Sequence, residues 1–226
     1  VLNVLKKFAY PDHIIPKSVY QIYVEDQNYQ CFLHFKELLK STLLLTTKKI
    51  REYAIKESIK NDSNSDYTYL EFGVFSGTTI TFFSKYLTKN KIYGFDSFEG
   101  LKEHWLGTTV TKGTFDLKKK IPTLPKNVVP VAGWIQDTLP PFLNEKKPKI
   151  NFVHIDVDTY ETTKFILDLI KPQLVKGAII LFDELYNFEG WDVGEYKALT
   201  EVFAKNEYKF EAFAYDGRQA LIRILN

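Results

Sequence analysis

The sequence predicts an α/β domain with a mostly parallel, seven-stranded sheet and helices on both of its faces. Short apolar segments of strand length alternate with segments of helical period over residues 67–204. The segment at 177–182, Gly-Ala-Ile-Ile-Leu-Phe, is almost wholly apolar, which is typical of a parallel strand covered on both faces. Two further strand-like segments flank Asp216-Gly217 and predict a closing antiparallel strand.

Taken in order, the chain begins with an arm over residues 1–30 that we expect to be irregular, because Pro11 and Pro16 interrupt any long helix. Segments 32–40 and 43–60 have helical character and predict a layer packed on the sheet. The loop at 101–125 shows no periodicity, which predicts a lid over a site. The predicted strands are 67–72, 91–96, 127–132, 149–155, 177–182, 209–214 and 219–225.

The first predicted strand leads into a glycine-bearing turn and then a helix. Glu71 lies at the carboxyl end of the strand, where open α/β sheets bind ligands. Gly73 and Gly77 let the backbone approach a ligand closely, and free N–H groups at the helix start bind a carboxylate or phosphate. This pattern predicts a nucleotide-type cofactor site. Its spacing differs from Gly-x-Gly-x-x-Gly, which disfavours NAD, and close packing is the alternative role for both glycines.

Two later strand ends extend the predicted cofactor site. Asp96 closes the second strand about 20 residues beyond the glycine turn, where such folds bind ribose hydroxyls. The alternative role for Asp96 is to cap the turn at 97–100. After the third strand, Gly133 gives backbone access and Trp134 stacks on an adenine or belongs to the core.

Composition excludes several classes of protein. The net charge is +2, from 30 basic and 28 acidic residues, so we expect neither a nucleic-acid partner nor an anionic membrane surface. No apolar run in the sequence has the length of a membrane span. The single cysteine, Cys31, excludes an internal disulfide and favours a cytoplasmic location.

Acidic side chains follow two neighbouring strands. Asp156 follows the fourth predicted strand, and Asp183 and Glu184 follow the fifth. Neighbouring strands lie about 5 Å apart, so these carboxylates converge and repel one another unless a cation or proton lies between them. Oxygen ligands select a hard divalent ion such as magnesium. The alternative is that these acids cap the following helices or bind the cofactor directly.

Five ordered motifs resemble the macrocin O-methyltransferase family over residues 67–220. They are EFGVFSGT at 71–78, YGFDSFEGL at 93–101, GWIQDTLP at 133–140, HIDVDTYETT at 154–163 and FDE at 182–184. The resemblance implies a Rossmann-like class I methyltransferase that uses S-adenosylmethionine (SAM) and a divalent metal to methylate a hydroxyl of a sugar or another small natural-product acceptor. It also implies that Asp156, Asp183 and Glu184 are the metal ligands.

The same resemblance distributes the cofactor over the motifs. The methionine end of SAM is assigned to Glu71, Gly73, Ser76, Gly77 and Thr78, the ribose to Asp96, and the adenine region to Gly133, Trp134 and Asp137. Phe75, Ser97 and Asp156 complete the expected cofactor set.

Methyl transfer requires a base for the acceptor hydroxyl. Asp158 is the first candidate and His154 the second, because both lie beside Asp156; a core histidine is the alternative for His154. Two other functions stay open: a methyltransferase that uses no metal, and a noncatalytic SAM-binding scaffold.

We expect residues 1–60 to form an arm and helices that cap the same domain as the methyltransferase region at 61–226. The aromatic arm suggests a homodimer.

Overall fold

An eight-stranded sheet organises the computed structural model, which describes residues 17–226. The strands follow the order β1-β7-β8-β6-β5-β2-β3-β4, and β8 runs opposite to the other seven. The predicted α/β fold, with a mostly parallel sheet and an antiparallel last strand, is confirmed. The strands are β1 Leu43–Leu45, β2 Thr68–Phe72, β3 Ile92–Asp96, β4 Val128–Ala132, β5 Ile150–Ile155, β6 Leu174–Phe182, β7 Tyr208–Ala214 and β8 Ala220–Ile224.

Helices cover both faces of this sheet. Alternate residues of a strand point to opposite faces, and in β5 the buried Phe152 and Val153 accordingly belong to two separate hydrophobic clusters. Ile50 of α2 packs in the cluster of Phe152, whereas Phe35 of α1 packs in the cluster of Val153. The helices are α1 Val19–Ser41, α2 Thr47–Asn61, α3 Thr78–Ser84, α4 Ile135–Lys146, α5 Tyr160–Ile170 and α6 Glu195–Val202, with a 3₁₀ turn at Lys171–Gln173.

The region before β2 differs from the expectation at two places. Helix α1 begins at Val19, so residues 19–30 are helical rather than irregular. The Ser18 hydroxyl accepts a hydrogen bond from the Gln21 amide at 3.1 Å, and the Gln21 side chain accepts one from the Ser18 amide at 2.8 Å. This capping box starts the helix just after Pro16. The part of the predicted arm at 1–16 lies outside the described residues.

The second difference is an additional strand. Residues 43–45, expected to be helical, pair in parallel with β7 and form the eighth strand at the edge of the sheet. Helix α2 then begins at Thr47, where the Thr46 side chain accepts a hydrogen bond from the Lys49 amide. In residues 17–226, no helix has the length and apolar character that crossing a membrane requires.

Candidate functional site

The carboxyl ends of the central strands are held level with one another by backbone hydrogen bonds. The Asp156 amide donates to the Phe72 carbonyl at 2.9 Å, and the Asp183 amide donates to the Ile155 carbonyl at 2.9 Å. Gly73 directly follows β2 at the same edge. The strand ends that the sequence singled out therefore meet along one edge of the sheet.

A cavity of about 400 Å³ opens along this edge. Its size lies within the usual range of small-molecule sites. Loop residues 100–115 form part of its wall, including the buried Trp105. The lining includes seven predicted site residues: Gly73, Phe75, Asp96, Trp134, Asp156, Asp158 and Glu184.

The glycine turn is shaped by close packing. Gly73 has a φ of +87°, and a Cβ atom there would lie 1.7 Å from the Asp156 carbonyl oxygen. Only glycine fits such a position. Gly77 has a φ of +79° and caps the start of α3. Packing therefore accounts for the choice of glycine at position 73, although the residue also borders the cavity.

Asp96 holds this turn in place. One carboxylate oxygen accepts hydrogen bonds from the amides of Val74 at 2.8 Å and Phe75 at 2.7 Å. The other oxygen accepts one from the Phe98 amide at 2.6 Å, so the capping role is present. Asp96 also lines the cavity, where a ligand can reach it.

The remaining predicted cofactor residues take different positions. Trp134 lines the cavity, with the Lys102 ammonium 5.5 Å from its ring centroid. The hydroxyls of Ser76 and Thr78 hydrogen-bond to each other at 3.0 Å, and Thr78 lines a neighbouring cavity of about 490 Å³. The Ser97 hydroxyl accepts from the Glu99 amide. Gly133 and Asp137 follow β4 close to Trp134 but do not line the cavity at the strand ends.

Glu71 and His154 form a buried pair below the cavity, and neither belongs to its lining. His154 Nδ1 lies 3.2 Å from a Glu71 oxygen, and Nε2 lies 3.1 Å from Asp183 Oδ1. The same Asp183 oxygen accepts from the Arg51 guanidinium at 3.0 Å and from the Gln219 amide. Both ring nitrogens of His154 are therefore engaged, as in a core histidine.

The pKa values of His154, Asp183 and Glu71 depend on the contacts among these side chains. Burial works to lower the pKa of His154, but hydrogen bonds to Asp183 and Glu71 outweigh it and raise that pKa to about 10. Burial works to raise the pKa of Asp183, but His154 and Arg51 hold it below its usual range. Burial raises the pKa of Glu71, whose second oxygen has no partner among the described residues.

Asp156, Asp158 and Glu184 form a second group, and no side chain in residues 17–226 makes a hydrogen bond or ion pair with their carboxylates. Their carboxylate oxygens lie within 4.8 Å of one another. Burial and the charge of Asp183 raise the pKa of Asp158 to about 7, with Arg218 opposing the shift. Burial and the charge of Asp183 also raise the pKa values of Asp156 and Glu184.

This geometry can be compared with known families. A family model described as a methyltransferase domain matches residues 70–185, half of the chain, including the glycine turn and all three acids. The chain belongs to this methyltransferase family. The predicted enzyme class is confirmed. A search of curated proteins gives no significant match.

Solved structures of known methyltransferases share the fold. The calicheamicin methyltransferase CalS11 is 22% identical, with a TM-score of 0.62, over 92% of this chain and 94% of that chain. The O-methyltransferase NovP is 17% identical, with a TM-score of 0.58, over 79% of each chain. An O-methyltransferase from Bacillus cereus in complex with S-adenosylhomocysteine (SAH) is 12% identical, with a TM-score of 0.52, over 99% and 97%.

Two residues of the methyltransferase site were not anticipated from the sequence. Glu195, at the start of α6, is buried; one carboxylate oxygen accepts from the Glu184 amide at 3.0 Å, and the other has no partner among the described residues. Arg218, just before β8, lines the cavity. In the sequence both resemble ordinary surface charges; in the structure Arg218 is exposed at the cavity wall, whereas Glu195 is buried.

The donor set of the methyltransferase fits a hard divalent cation. Asp156, Asp158 and Glu184 supply converging carboxylates, and a buried Glu184 oxygen lacks any hydrogen-bond partner among residues 17–226. Oxygen-only sites of this kind suit magnesium, manganese or calcium. The predicted trio of Asp156, Asp183 and Glu184 is divided, because the Asp183 carboxylate groups with His154 and Asp156 instead.

Proposed function

We propose that this methyltransferase transfers the methyl group of SAM to a hydroxyl of a sugar or another small natural-product acceptor, with a divalent cation at the acid group, as in the macrocin type. The observation that carries the proposal is the group of Asp156, Asp158 and Glu184 at the cavity, whose carboxylates have no hydrogen-bond or ion-pair partner among the described residues. Buried like charges raise one another's pKa, and a bound cation relieves that repulsion.

The donor is assigned to the end of the cavity formed by β2, β3 and β4. The turn at Gly73 and Phe75 borders the methionine end, Asp96 the ribose and Trp134 the adenine. Asp96 has a further part in this assignment, since its carboxylate fixes the backbone of the turn on which the donor rests. We propose no direct donor contact for Glu71, whose carboxylate faces His154.

The acceptor hydroxyl is assigned to the other end, beside Asp158. In the transfer, the bond between sulfur and the methyl carbon breaks as the bond between that carbon and the acceptor oxygen forms in line. The hydroxyl proton passes to the Asp158 carboxylate, which lines the cavity beside Asp156 and Glu184. A divalent cation, when bound, lowers the pKa of a coordinated hydroxyl and orients it. Asp156 and Glu184 are the residues that hold the cation, with Asp158 beside them.

His154 has a different role in this proposal. Its ring is buried between Glu71 and Asp183, so it orients Asp183 beneath the cation site rather than taking the proton. The cytoplasmic location and the absence of a nucleic-acid partner stay predictions from composition, and the homodimer stays a prediction from the aromatic arm.

The proposal is tested by SAH formation with a panel of sugar and catechol acceptors, after chelation and then with added magnesium. We expect activity to vanish with the chelator and to return with magnesium. Full activity in the chelated enzyme would favour the metal-independent alternative. SAM binding without methylation of any acceptor, in any condition, would favour the scaffold.

A further inference from the structure

Arg218 occupies the acceptor end of the cavity. It immediately precedes Gln219 and strand β8, whose start lies at the same edge of the sheet as the carboxyl ends of β5 and β6. In the sheet order, β6 lies between β8 and β5, whereas the glycine turn follows β2 on the far side of β5. Two strand spacings amount to about 10 Å, so Arg218 lies on the order of that distance from Asp156.

The guanidinium of Arg218 is positioned by two aromatic rings. Its central carbon lies 5.8 Å from the ring centroid of Trp105 and 5.2 Å from that of Phe188. Both rings are buried, at 6% and 2% exposure. The Arg218 carbonyl accepts hydrogen bonds from the amides of Leu185 at 3.1 Å and Tyr186 at 3.3 Å, which fixes its backbone against the loop that carries Glu184.

Within the described part of the chain, the N–H groups of this side chain have no partner. Among residues 17–226, no hydrogen bond or ion pair engages the Arg218 guanidinium, although four acids line the same cavity. The chain has three arginines, and the other two are paired: Arg51 with Asp183, and Arg223 with Glu211 and Glu57. A guanidinium stacked on aromatic rings keeps its planar N–H edge available for a carboxylate or a phosphate.

We propose that Arg218 binds an oxyanion group of the acceptor, so that this methyltransferase selects hydroxyl compounds carrying a phosphate or a carboxylate. The inference rests on the proposed function and deepens it. The acceptor hydroxyl lies beside Asp158, and the anionic group extends along the sheet edge towards β8. Trp105 and Phe188 supply the flat walls that hold the guanidinium in this orientation.

The position of Arg218 separates this assignment from donor binding. The donor is assigned to the strand ends of β2, β3 and β4, and Arg218 lies on the opposite side of β5. For Arg218 to contact the donor carboxylate, the methionine end of SAM would have to extend past Asp156, Asp158 and Glu184. If replacing Arg218 weakens acceptor binding and leaves donor binding unchanged, Arg218 contacts the acceptor rather than the donor.

The experiment compares three sugar probes that differ in one substituent: glucose 1-phosphate, glucuronate and neutral methyl glucoside. Each is titrated into the protein saturated with SAH and magnesium, with affinities from calorimetry. Side-chain Nε–H resonances of ¹⁵N-arginine report the contact directly, because the chain has three arginines. The variants are Arg218→Gln, Arg218→Lys and the control Lys126→Gln, which removes the same charge from an exposed position outside the cavity.

We expect at least one anionic probe to bind about ten-fold or more tightly than methyl glucoside and to move the Arg218 resonance, as a charge-assisted hydrogen bond requires. The anionic probe with the higher affinity shows whether the site prefers a phosphate or a carboxylate. In Arg218→Gln, we expect the preference to fall to about two-fold or less; Arg218→Lys should retain part of it, and Lys126→Gln all of it.

Three results would overturn the inference: equal affinity for all probes, an Arg218 resonance that no anionic probe moves, or a preference that survives in Arg218→Gln. Loss of SAH affinity in Arg218→Gln with probe binding unchanged would assign the arginine to the donor instead. Failure of the wild-type protein to bind SAH would contradict the proposed function itself, which separates the two failures.

Discussion

Asp158 combines two unfavourable features at one residue. Its backbone has a φ of +63°, a left-handed conformation that costs a non-glycine residue roughly 1 kcal/mol or more. Its carboxylate is buried close to those of Asp156 and Glu184. Strain and like-charge repulsion of this kind persist where function requires them.

The first prediction is that Asp158→Asn separates activity from stability. Asparagine tolerates the left-handed backbone and removes one buried charge, so the melting temperature should equal or exceed that of the wild type. The loss of a base should lower kcat by about 10²- to 10⁴-fold, with SAM affinity unchanged. Steady-state kinetics, calorimetric SAM binding and thermal melting check this.

The matched control is Asp168→Asn, which removes a half-exposed partner of Lys164 on α5. An exposed pair of this kind contributes little, so both kcat and the melting temperature should stay near wild type. An Asp158→Asn variant that kept full turnover would remove Asp158 from the mechanism.

The second prediction concerns the thiol of Cys31. Burial raises its pKa to about 11, and the Asn187 amide donates a hydrogen bond to the sulfur at 3.3 Å. Because the thiolate is the reactive form, iodoacetamide at about pH 8 should label the folded protein far more slowly than the denatured protein. Labelling followed by mass spectrometry checks this; equal rates in the two states would show that Cys31 is accessible.

At the scale of elements, periodicity predicted the strands but not the start of the chain's helical layer. Helix α1 begins at Val19, 13 residues before the predicted start at position 32. The signal was local: Ser18 and Gln21 form a capping box directly after Pro16. Residues 43–45 were misassigned because a three-residue edge strand is too short to show a period, and its pairing with β7 depends on distant residues.

Side-chain direction at the strand ends was beyond what the sequence could predict. Their positions directly after two parallel strands placed Asp156, Asp183 and Glu184 at one edge, and the structure brings them there. The Asp183 carboxylate faces His154 of β5 and Arg51 of α2, and the sequence does not show that these side chains meet it. The division of the chain at residue 60 and the roles of the site residues stay predictions.

The third prediction tests the turn between β2 and α3. Gly73→Ala would place a Cβ against the Asp156 carbonyl in addition to its positive φ. Gly113 has nearly the same φ, +83°, with no heavy atom within 4 Å of a Cβ, so Gly113→Ala isolates the backbone cost. We expect Gly113→Ala to lower the unfolding free energy by about 1 kcal/mol, and Gly73→Ala by at least about 2 kcal/mol more.

Denaturant unfolding of both variants measures the difference. Equal losses in the two variants would mean that the turn relaxes away from β5, and that packing does not explain glycine at position 73.

The fourth prediction concerns the contact between α6 and the loop after β6. Glu195→Leu leaves the partly buried Glu184 amide without an acceptor, which costs about 1–3 kcal/mol and frees the loop that carries Glu184. Glu195→Gln keeps an acceptor oxygen of the same reach. The magnesium concentration for half-maximal activity should rise in Glu195→Leu and stay near wild type in Glu195→Gln. If both variants behaved alike, the charge of Glu195 rather than its hydrogen bond would matter.

At the scale of the whole molecule, the sheet order separates two ends of one site. The strand ends of β2, β3 and β4 border the proposed donor end, and β5, β6 and β8 border the proposed acceptor end. Asp156 follows β5, where the two ends meet. The reversed direction of β8 is what brings Arg218 to this edge, since a parallel strand would present its carboxyl end there instead.

The central claim is that the acid group of Asp156, Asp158 and Glu184 binds a divalent cation, with Asp156 and Glu184 as the residues that hold it. It is tested most directly by titrating manganese into the SAH-saturated protein and following the free ion by electron paramagnetic resonance. We predict one bound ion per chain in the wild type, loss of that binding in Glu184→Gln, and retention in Asp168→Asn, which alters an exposed acid outside the cavity. Wild-type protein that binds no manganese, or Glu184→Gln that binds it as tightly as the wild type, would contradict the account.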